Sequence, residues 1–203
     1  MMTREQFIAD MTDFGTHRPV LWHAINAVGG PVIECGCGFQ STPYLAQLCR
    51  ELGREFLSFD DNPDWIKGVR EKTGVHPMLV NWQAFTLANR SAGVVLIDTS
   101  ICGAKPMDNR QHVLNTAVNN LDLGVILLHD SNDSQYGYQH EVPKFKYRTD
   151  YTDMGLHTTV VSQTIDVSAW KFEPFPASTY KRMCESGWRH IIEPHVHAMM
   201  ANV

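Results

Sequence analysis

A chain of 203 residues is the size of one domain and long enough to bury a full core. Hydrophobic residues at 43% and charged residues at 19%, with Lys+Arg 17 against Asp+Glu 22, describe an ordinary globular protein whose net charge of -5 lacks the electrostatic footprint of a nucleic-acid binder. No apolar run is long enough to cross a bilayer, no apolar signal core opens the chain, and the odd set Cys35, Cys37, Cys49, Cys102 and Cys184 suits a reducing compartment, so a cytoplasmic protein is expected.

Residues 3–14 and 18–28 read as two leading helices separated by Gly15 and Pro19. Pro31-Val32-Ile33-Glu34-Cys35 is a short apolar strand that runs into glycines. Thr42 to Leu52 carries Leu45, Leu48, Cys49 and Leu52 on one helical face, with Gly53 as its stop. Phe56 to Phe59 is a second strand ending in Asp60-Asp61-Asn62-Pro63, and Pro63 opens a helix to about Thr73. Met78-Leu79-Val80 ends at Asn81-Trp82, and Gly93 to Ile97 ends at Asp98. A helix over about Asn109–Asn120 precedes Gly124 to Leu128, which ends at His129-Asp130. The β-branched run Thr158 to Ser162 reads as a late antiparallel strand. The basic cluster Lys144, Lys146 and Arg148 reads as a solvated strand edge or helix face.

Apolar runs alternating with helices require a parallel sheet covered on both faces, so the fold class is α/β. No Pro/Gly/Ser linker divides the chain. The expectation is one domain over 1–203, with a leading helical lid or dimerisation segment (1–28), a core (30–165) and a C-terminal extension (166–203).

In such a sheet, ligands bind beyond the carboxyl ends of the strands. The residues there, Glu34, Asp60, Asn81, Asp98 and His129-Asp130, are all polar, a concentration better explained by a site than by caps alone. Gly36 and Gly38 permit a tight turn and close approach to a ligand, and Ser41 is placed to cap the next helix. The third glycine of the dinucleotide pattern is replaced by Ser41, and an acid, Glu34, precedes the loop.

Val32-Ile33-Glu34-Cys35-Gly36-Cys37-Gly38 with Ser41-Thr42 resembles the first motif of the class I methyltransferases that use S-adenosyl-L-methionine (SAM). The resemblance covers roughly residues 30–165 in element order. It implies a Rossmann-like, doubly wound, mostly parallel sheet, with Glu34 near the cofactor's ammonium and Asp60 on the ribose hydroxyls. It places Asn81-Trp82 at adenine, and Asp98, in Leu96-Ile97-Asp98-Thr99, beside the transferring methyl. Cofactor contacts are thus implied for Glu34, Gly36, Gly38, Ser41, Thr42, Asp60, Asn81, Trp82 and Asp98. Ser41-Thr42-Pro43, Asp60 to Trp65, His129-Asp130-Ser131, Tyr136-Gly137-Tyr138 and Thr158 to Ser162 also resemble small bacterial and phage methyltransferase-like proteins of undefined substrate.

Asp98 and Asp130 end adjacent strands, and two facing carboxylates repel unless a proton or cation separates them. One reading is a Mg²⁺ ion, as in the metal-dependent catechol and sugar O-methyltransferases that the spacing resembles, although Ser131 follows Asp130 where that family has Asn or Asp. The other reading makes Asp98 a cofactor contact and Asp130 a helix cap. His129 is a candidate general base. The reaction class expected is O-methyl transfer to a small-molecule or sugar-like acceptor, with Asp98, His129 and Asp130 on the acceptor side. Two alternatives stand beside it: a SAM-binding sensor or assembly protein, and an NAD-dependent oxidoreductase on a related sheet. Cys184, His190, Glu193, His195 and His197 match no zinc spacing. Cys35 and Cys37 read as loop fillers, and Tyr136, Tyr138, Trp170, Phe172 and Phe175 as an acceptor wall, a lid or core.

Overall fold

The computed structural model describes residues 1–87, 90–99, 106–173 and 176–201; Cys102 and Phe175 lie outside them. Helix α1 (Arg4–Ile8) starts at a capping box in which the Thr3 hydroxyl accepts from Gln6 N–H and the Gln6 side chain accepts from Thr3 N–H. It is shorter than expected, and a single 3-10 turn (Asp13–Gly15) follows before α2 (Arg18–Ala27). Where the chain leaves α1, Thr12 N–H donates to Gln40 in the glycine loop at 3.3 Å, which draws the segment over the sheet edge.

Strand β1 (Val32–Cys35) leads into α3 (Thr42–Glu51), β2 (Phe56–Asp60) into α4 (Pro63–Thr73), and β3 (Met78–Leu79) into a 3-10 turn at Trp82–Ala84. Strand β4 (Arg90–Ile97), helix α5 (Pro106–Asn120) and strand β5 (Leu121–His129) follow. Beyond them come α6 (Tyr138–Glu141), β6 (Tyr147–Tyr151), β7 (Thr158–Ser162), α7 (Ala177–Glu185) and α8 (Pro194–Met200). Asn62 caps α4 by accepting from Asp64 and Trp65 N–H, and Gly74, left-handed at φ 72°, stops it.

The seven strands lie in the order β3-β2-β1-β4-β5-β7-β6. Strands β1 to β5 pair parallel, and β7 runs antiparallel to both β5 and β6, so the late strand is antiparallel as its sequence suggests. Strand β6 decides between the two readings of the basic cluster, strand edge or helix face: it is the sheet edge, with Arg148 and Asp150 at its alternate, exposed positions. The basic cluster lies on and beside it: Lys144 pairs with Glu141 at 2.7 Å and Arg148 with Asp150 at 2.8 Å.

Side-chain alternation splits the sheet's apolar residues between two layers. Val32, Val94, Leu96, Val125, Leu127 and Val160 face α1, α2, α3 and the C-terminal helices. Ile33, Cys35, Val95, Ile97, Ile126, Leu128 and Val161 face α5 together with Trp82 and Phe85. The leading segment, expected as a lid or dimerisation element, places Phe7, Ile8, Met11, Val20, Leu21, Ala24 and Ile25 in the first layer. It is therefore part of the core. Arg182 of α7 holds it from outside by donating to the carbonyls of Ala9 (2.6 Å) and Met11 (2.5 Å).

The strand order reverses between β1 and β4, which opens a crevice at their carboxyl ends. Glu34, Asp60, Asn81, Asp98, His129 and Asp130 all lie at or just beyond the carboxyl ends of their strands.

Candidate active site at the carboxyl edge of the sheet

The glycine loop leaves β1 through Gly36, which is left-handed at φ 98°; a methyl group there would drive into the Asp98 carbonyl. The backbones of β1 and β4 stay joined to this point, with Asp98 N–H donating to Cys35 O at 2.8 Å. Gly38 has open space where a side chain would project, with only Ser41 Oγ within reach at 3.8 Å.

Glu34 lies fully buried beneath the loop. Its Oε2 accepts from the Thr42 hydroxyl at 2.7 Å and from the Ser58 hydroxyl at 2.5 Å, while Oε1 has no partner. Burial pushes this carboxyl up to about 7, against the hydroxyls that favour its charged form. Thr42 in turn accepts from Gly38 N–H at 2.8 Å, so one hydroxyl couples the buried acid to the glycine loop. Ser41 occupies the N-cap position of α3, but its side chain makes no capping bond.

Asp60, the last residue of β2, is 4% exposed. It accepts from Cys37 N–H (Oδ2, 3.0 Å) and from Asn62 N–H (Oδ1, 2.9 Å), and burial raises its pKa despite those bonds. It therefore ties the glycine loop to the start of α4. The loop also rests on α4 from above: Trp65 Nε1 donates to Cys37 O at 2.6 Å, and the Phe39 and Trp65 rings meet edge to face at 5.0 Å. Cys35 and Cys37 are free buried thiols whose pKa values burial raises, consistent with fillers.

Asn81 caps the turn after β3 by accepting from Gln83 N–H at 3.0 Å. Trp82 packs into the second layer, 2% exposed, against Phe85 at 5.1 Å. Its ring belongs to the core, and the local turn leaves the exposed Asn81 as the residue at the edge.

Asp98 and Asp130 are brought together, and the cation between them is a side chain. Arg110 of α5 donates through Nη2 to Asp98 Oδ1 at 3.1 Å and to Asp130 Oδ2 at 3.2 Å. Its Nη1 reaches His129 O (2.7 Å) and its Nε reaches Thr99 O (2.8 Å), while Tyr136 stacks against the guanidinium at 3.6 Å. Arg110 is 2% exposed, and the carboxylates together with Tyr138 raise its pKa further. The expected Mg²⁺ site between the two aspartates does not fit. One oxygen of each aspartate already accepts from Arg110 Nη2, which stands where an ion shared by the two would sit, and Mg²⁺ demands a near-octahedral set of oxygens. Asp130 is held left-handed at φ 54°, a conformation that non-glycine residues enter at some cost.

Asp98 remains the open member of this group, with 24% of its side chain exposed. Burial lifts its carboxyl to about 6, against the pull of Arg110. His129 lies behind it, with Nδ1 3.4 Å from Thr158 Oγ1 and Nε2 3.3 Å from Asp130 Oδ1. Desolvation drops His129 to about 4, which makes the ring neutral at physiological pH and a weak base.

Two residues that sequence reasoning passed over complete the group. Arg110 was signalled only by the need for a cation between two carboxylates. His17, from the turn before α2, sits edge-on to His129 with centroids 4.6 Å apart and an interplanar angle of 70°. It is 1% exposed, and neither ring nitrogen has a partner. The neighbouring Arg18 is fully buried and points elsewhere, pairing with Asp10 at 2.9 Å and lying over the Tyr44 ring at 3.7 Å. The C-terminal histidines have other partners: His195 with Asp153 (2.9 Å), His197 with Tyr180 (2.7 Å) and His190 with Gly187 O (3.0 Å). Trp170 and Phe172 pack against His23, away from this edge.

No protein-family model matches the sequence, and no curated protein matches it. Solved structures do match. Protein 1320 of Thermoplasma acidophilum superposes with a TM-score of 0.51 at 15% identity, over 79% of this chain and 96% of that one. The 16S rRNA N2 G1207 methyltransferase of T. thermophilus, in complex with AdoMet and guanosine, gives 0.47 at 15%, over 73% of this chain and 38% of that one. Protein PH0226 of Pyrococcus horikoshii OT3 gives 0.47 at 14%, over 80% and 99%. The first of these likenesses establishes the fold as Rossmann-like.

Proposed function

We propose that this chain, which has the Rossmann-like methyltransferase fold, transfers a methyl group from SAM to oxygen on a small-molecule or sugar-like acceptor. The observation that carries the reading is the coupling of the glycine loop to two buried acids, Glu34 through Thr42 and Asp60 through Cys37 N–H, at the reversal of strand order. Glu34, buried beneath the loop, would repel a pyrophosphate, whereas an acid at the end of the second strand, as Asp60 is, serves a ribose in dinucleotide and SAM sites alike. A cationic cofactor with a ribose diol matches them.

The residues fit that group. Glu34 Oε1 is a buried oxygen without a partner, and Gly38 leaves space for close approach. Each oxygen of Asp60 accepts one N–H and retains acceptor capacity for a hydroxyl. Bound SAM supplies a methyl carbon already activated by its sulfonium, so the protein's share of catalysis is chiefly alignment. Glu34 supplies negative charge beneath the loop, Asp60 holds the loop against α4, and Asn81 stands at the adenine side. Asp98 presents its open carboxylate to the acceptor hydroxyl. His129, Asp130 and Arg110 fix the position of Asp98, and the Tyr136 ring walls the cluster.

The test has two parts. Calorimetric titration with SAM, its demethylated product and NAD should show binding of the first two alone, and Asp60→Ala should weaken SAM at least about tenfold, the loss of one or two hydrogen bonds. Incubation with methyl-labelled SAM and fractionated extract should place label in small molecules. Full SAM affinity in Asp60→Ala overturns the cofactor assignment, and label in no fraction favours a binding protein without turnover.

A further inference from the structure

We propose that His17, Asp98 and His129 form a binding site for one divalent first-row transition-metal ion, of the kind that takes two imidazoles and one carboxylate. One ligand atom from each residue lies within 4.8 Å of the other two, and among the described residues this is the one group of three or more His, Cys, Asp and Glu side chains so placed. The inference rests on the methyltransferase reading only for the use made of the ion, since the geometry stands without it.

A second observation is the state of His17. A buried imidazole ordinarily finds a hydrogen-bond partner, because leaving its nitrogens unpaired costs free energy. Here both nitrogens are buried and unpartnered, and the ring is turned against His129. A metal–nitrogen bond would account for one of them.

The surroundings have the character of a metal site's outer shell. Ligating histidines are usually fixed through the nitrogen that does not meet the metal. His129 has a neighbour at each nitrogen, Thr158 Oγ1 at 3.4 Å and Asp130 Oδ1 at 3.3 Å, so whichever one faces the ion, the other is steadied. Arg110 holds one oxygen of Asp98 at 3.1 Å and leaves the second for an ion.

The donor set selects the metal. Imidazole nitrogens suit Zn²⁺, Fe²⁺, Co²⁺ or Ni²⁺, whereas Mg²⁺ and Ca²⁺ prefer oxygen alone. Three protein ligands leave at least one position open for an outside oxygen, and Asp98, with 24% of its side chain exposed, is the ligand through which the site meets its surroundings. A hydroxyl bound there would lose its proton to solvent more readily and then attack as the alkoxide.

Co²⁺ is the probe, since its visible absorption reports ligand type and coordination number. Protein without a histidine tag, stripped with chelator, is titrated with Co²⁺ and then Zn²⁺. The expected result is one Co²⁺ per chain with the intense visible bands of a four- or five-coordinate site, displaced by Zn²⁺ and unaffected by Mg²⁺. His17→Gln and Asp98→Asn should each weaken binding by more than about 100-fold, with the His195→Ala/His197→Ala double variant as an unchanged control. Failure of the wild-type protein to bind Co²⁺ stoichiometrically overturns the proposal, and so does undiminished binding in a folded His17→Gln. SAM affinity measured on the stripped protein separates the two readings. Metal binding without SAM binding leaves the site standing and removes the methyltransferase role, and the reverse removes the metal site alone.

Discussion

The Thr42 hydroxyl donates to Glu34 at 2.7 Å and accepts from Gly38 N–H at 2.8 Å, so a single hydroxyl joins a buried carboxyl to the turn above it. Changing the charge on Glu34 therefore changes the loop.

The first prediction follows from that link. Glu34 rises from 4.5 to about 7 on folding, so the folded state holds its proton more tightly than the unfolded chain. Its contribution to stability is complete below about pH 4.5 and is lost as pH rises through about 7, a difference of roughly 3 kcal/mol at most. Urea unfolding of the wild type at about pH 5 and about pH 8 should show that loss, and Glu34→Gln should flatten it. SAM should restore stability preferentially at the higher pH, where the carboxylate is charged.

Gly36 should tolerate no side chain. At φ 98° an alanine is strained, and its methyl meets the Asp98 carbonyl, which is backbone and cannot rotate away. Gly36→Ala should cost about 2 kcal/mol or more in urea unfolding and abolish SAM binding by calorimetry. Gly38→Ala, with open space around it, should cost about 1 kcal/mol or less in stability while still weakening SAM.

Arg110→Met should leave Asp98 and Asp130 buried against each other with no cation. The expected loss is about 3–5 kcal/mol, as for breaking other buried pairs. Adding Asp130→Asn should recover part of it, giving a coupling energy in a double-mutant cycle. Arg110→Lys should rescue poorly, because one ammonium cannot reach Thr99 O, His129 O and both carboxylates at once.

Trp65 should report cofactor binding. Its indole holds Cys37 O at 2.6 Å and its ring meets Phe39, while the N–H of the same Cys37 is held by the 4%-exposed Asp60, so a ribose diol reaching that carboxylate should shift the ring. SAM should change tryptophan emission in the wild type and leave Trp65→Phe spectrally silent while that variant still binds by calorimetry. An unchanged wild-type spectrum at saturating SAM would count against entry by this route.

The glycine-loop side of the edge was the more legible in the sequence. Glu34, Gly36, Thr42 and Asp60 follow one another within a single strand-loop-helix-strand unit, so local pattern suffices to bring them together. The strand alternation and the antiparallel β7 were readable for the same reason, whereas the charged edge strand β6 read equally as a helix face. Trp82 shows the limit: a residue three places beyond a strand can turn to solvent or to core, and only the packing of Phe59 and Phe85 decides it. On the other side, the demand for a cation between Asp98 and Asp130 was readable, but its supplier was not. Arg110 comes from the middle of the intervening helix, and His17 comes from a turn before the sheet begins. Neither position carries a periodic or motif signal.

That asymmetry bears on how such a protein can diverge. The unit from Glu34 to Trp65 is continuous in sequence and tied by its own hydrogen bonds, so a change at Thr42, Cys37 or Asp60 disturbs more than one of them. The opposite wall is assembled from separate stretches, around residues 17, 98, 110, 129 and 158, each anchored to a different element. Recombination that replaced the leading segment would change one side chain of that wall and leave the glycine loop's own bonds to Glu34 and Asp60 in place. Under the proposed function, acceptor choice is then the trait that single replacements can alter one wall residue at a time, while the glycine-loop unit keeps its own bonds.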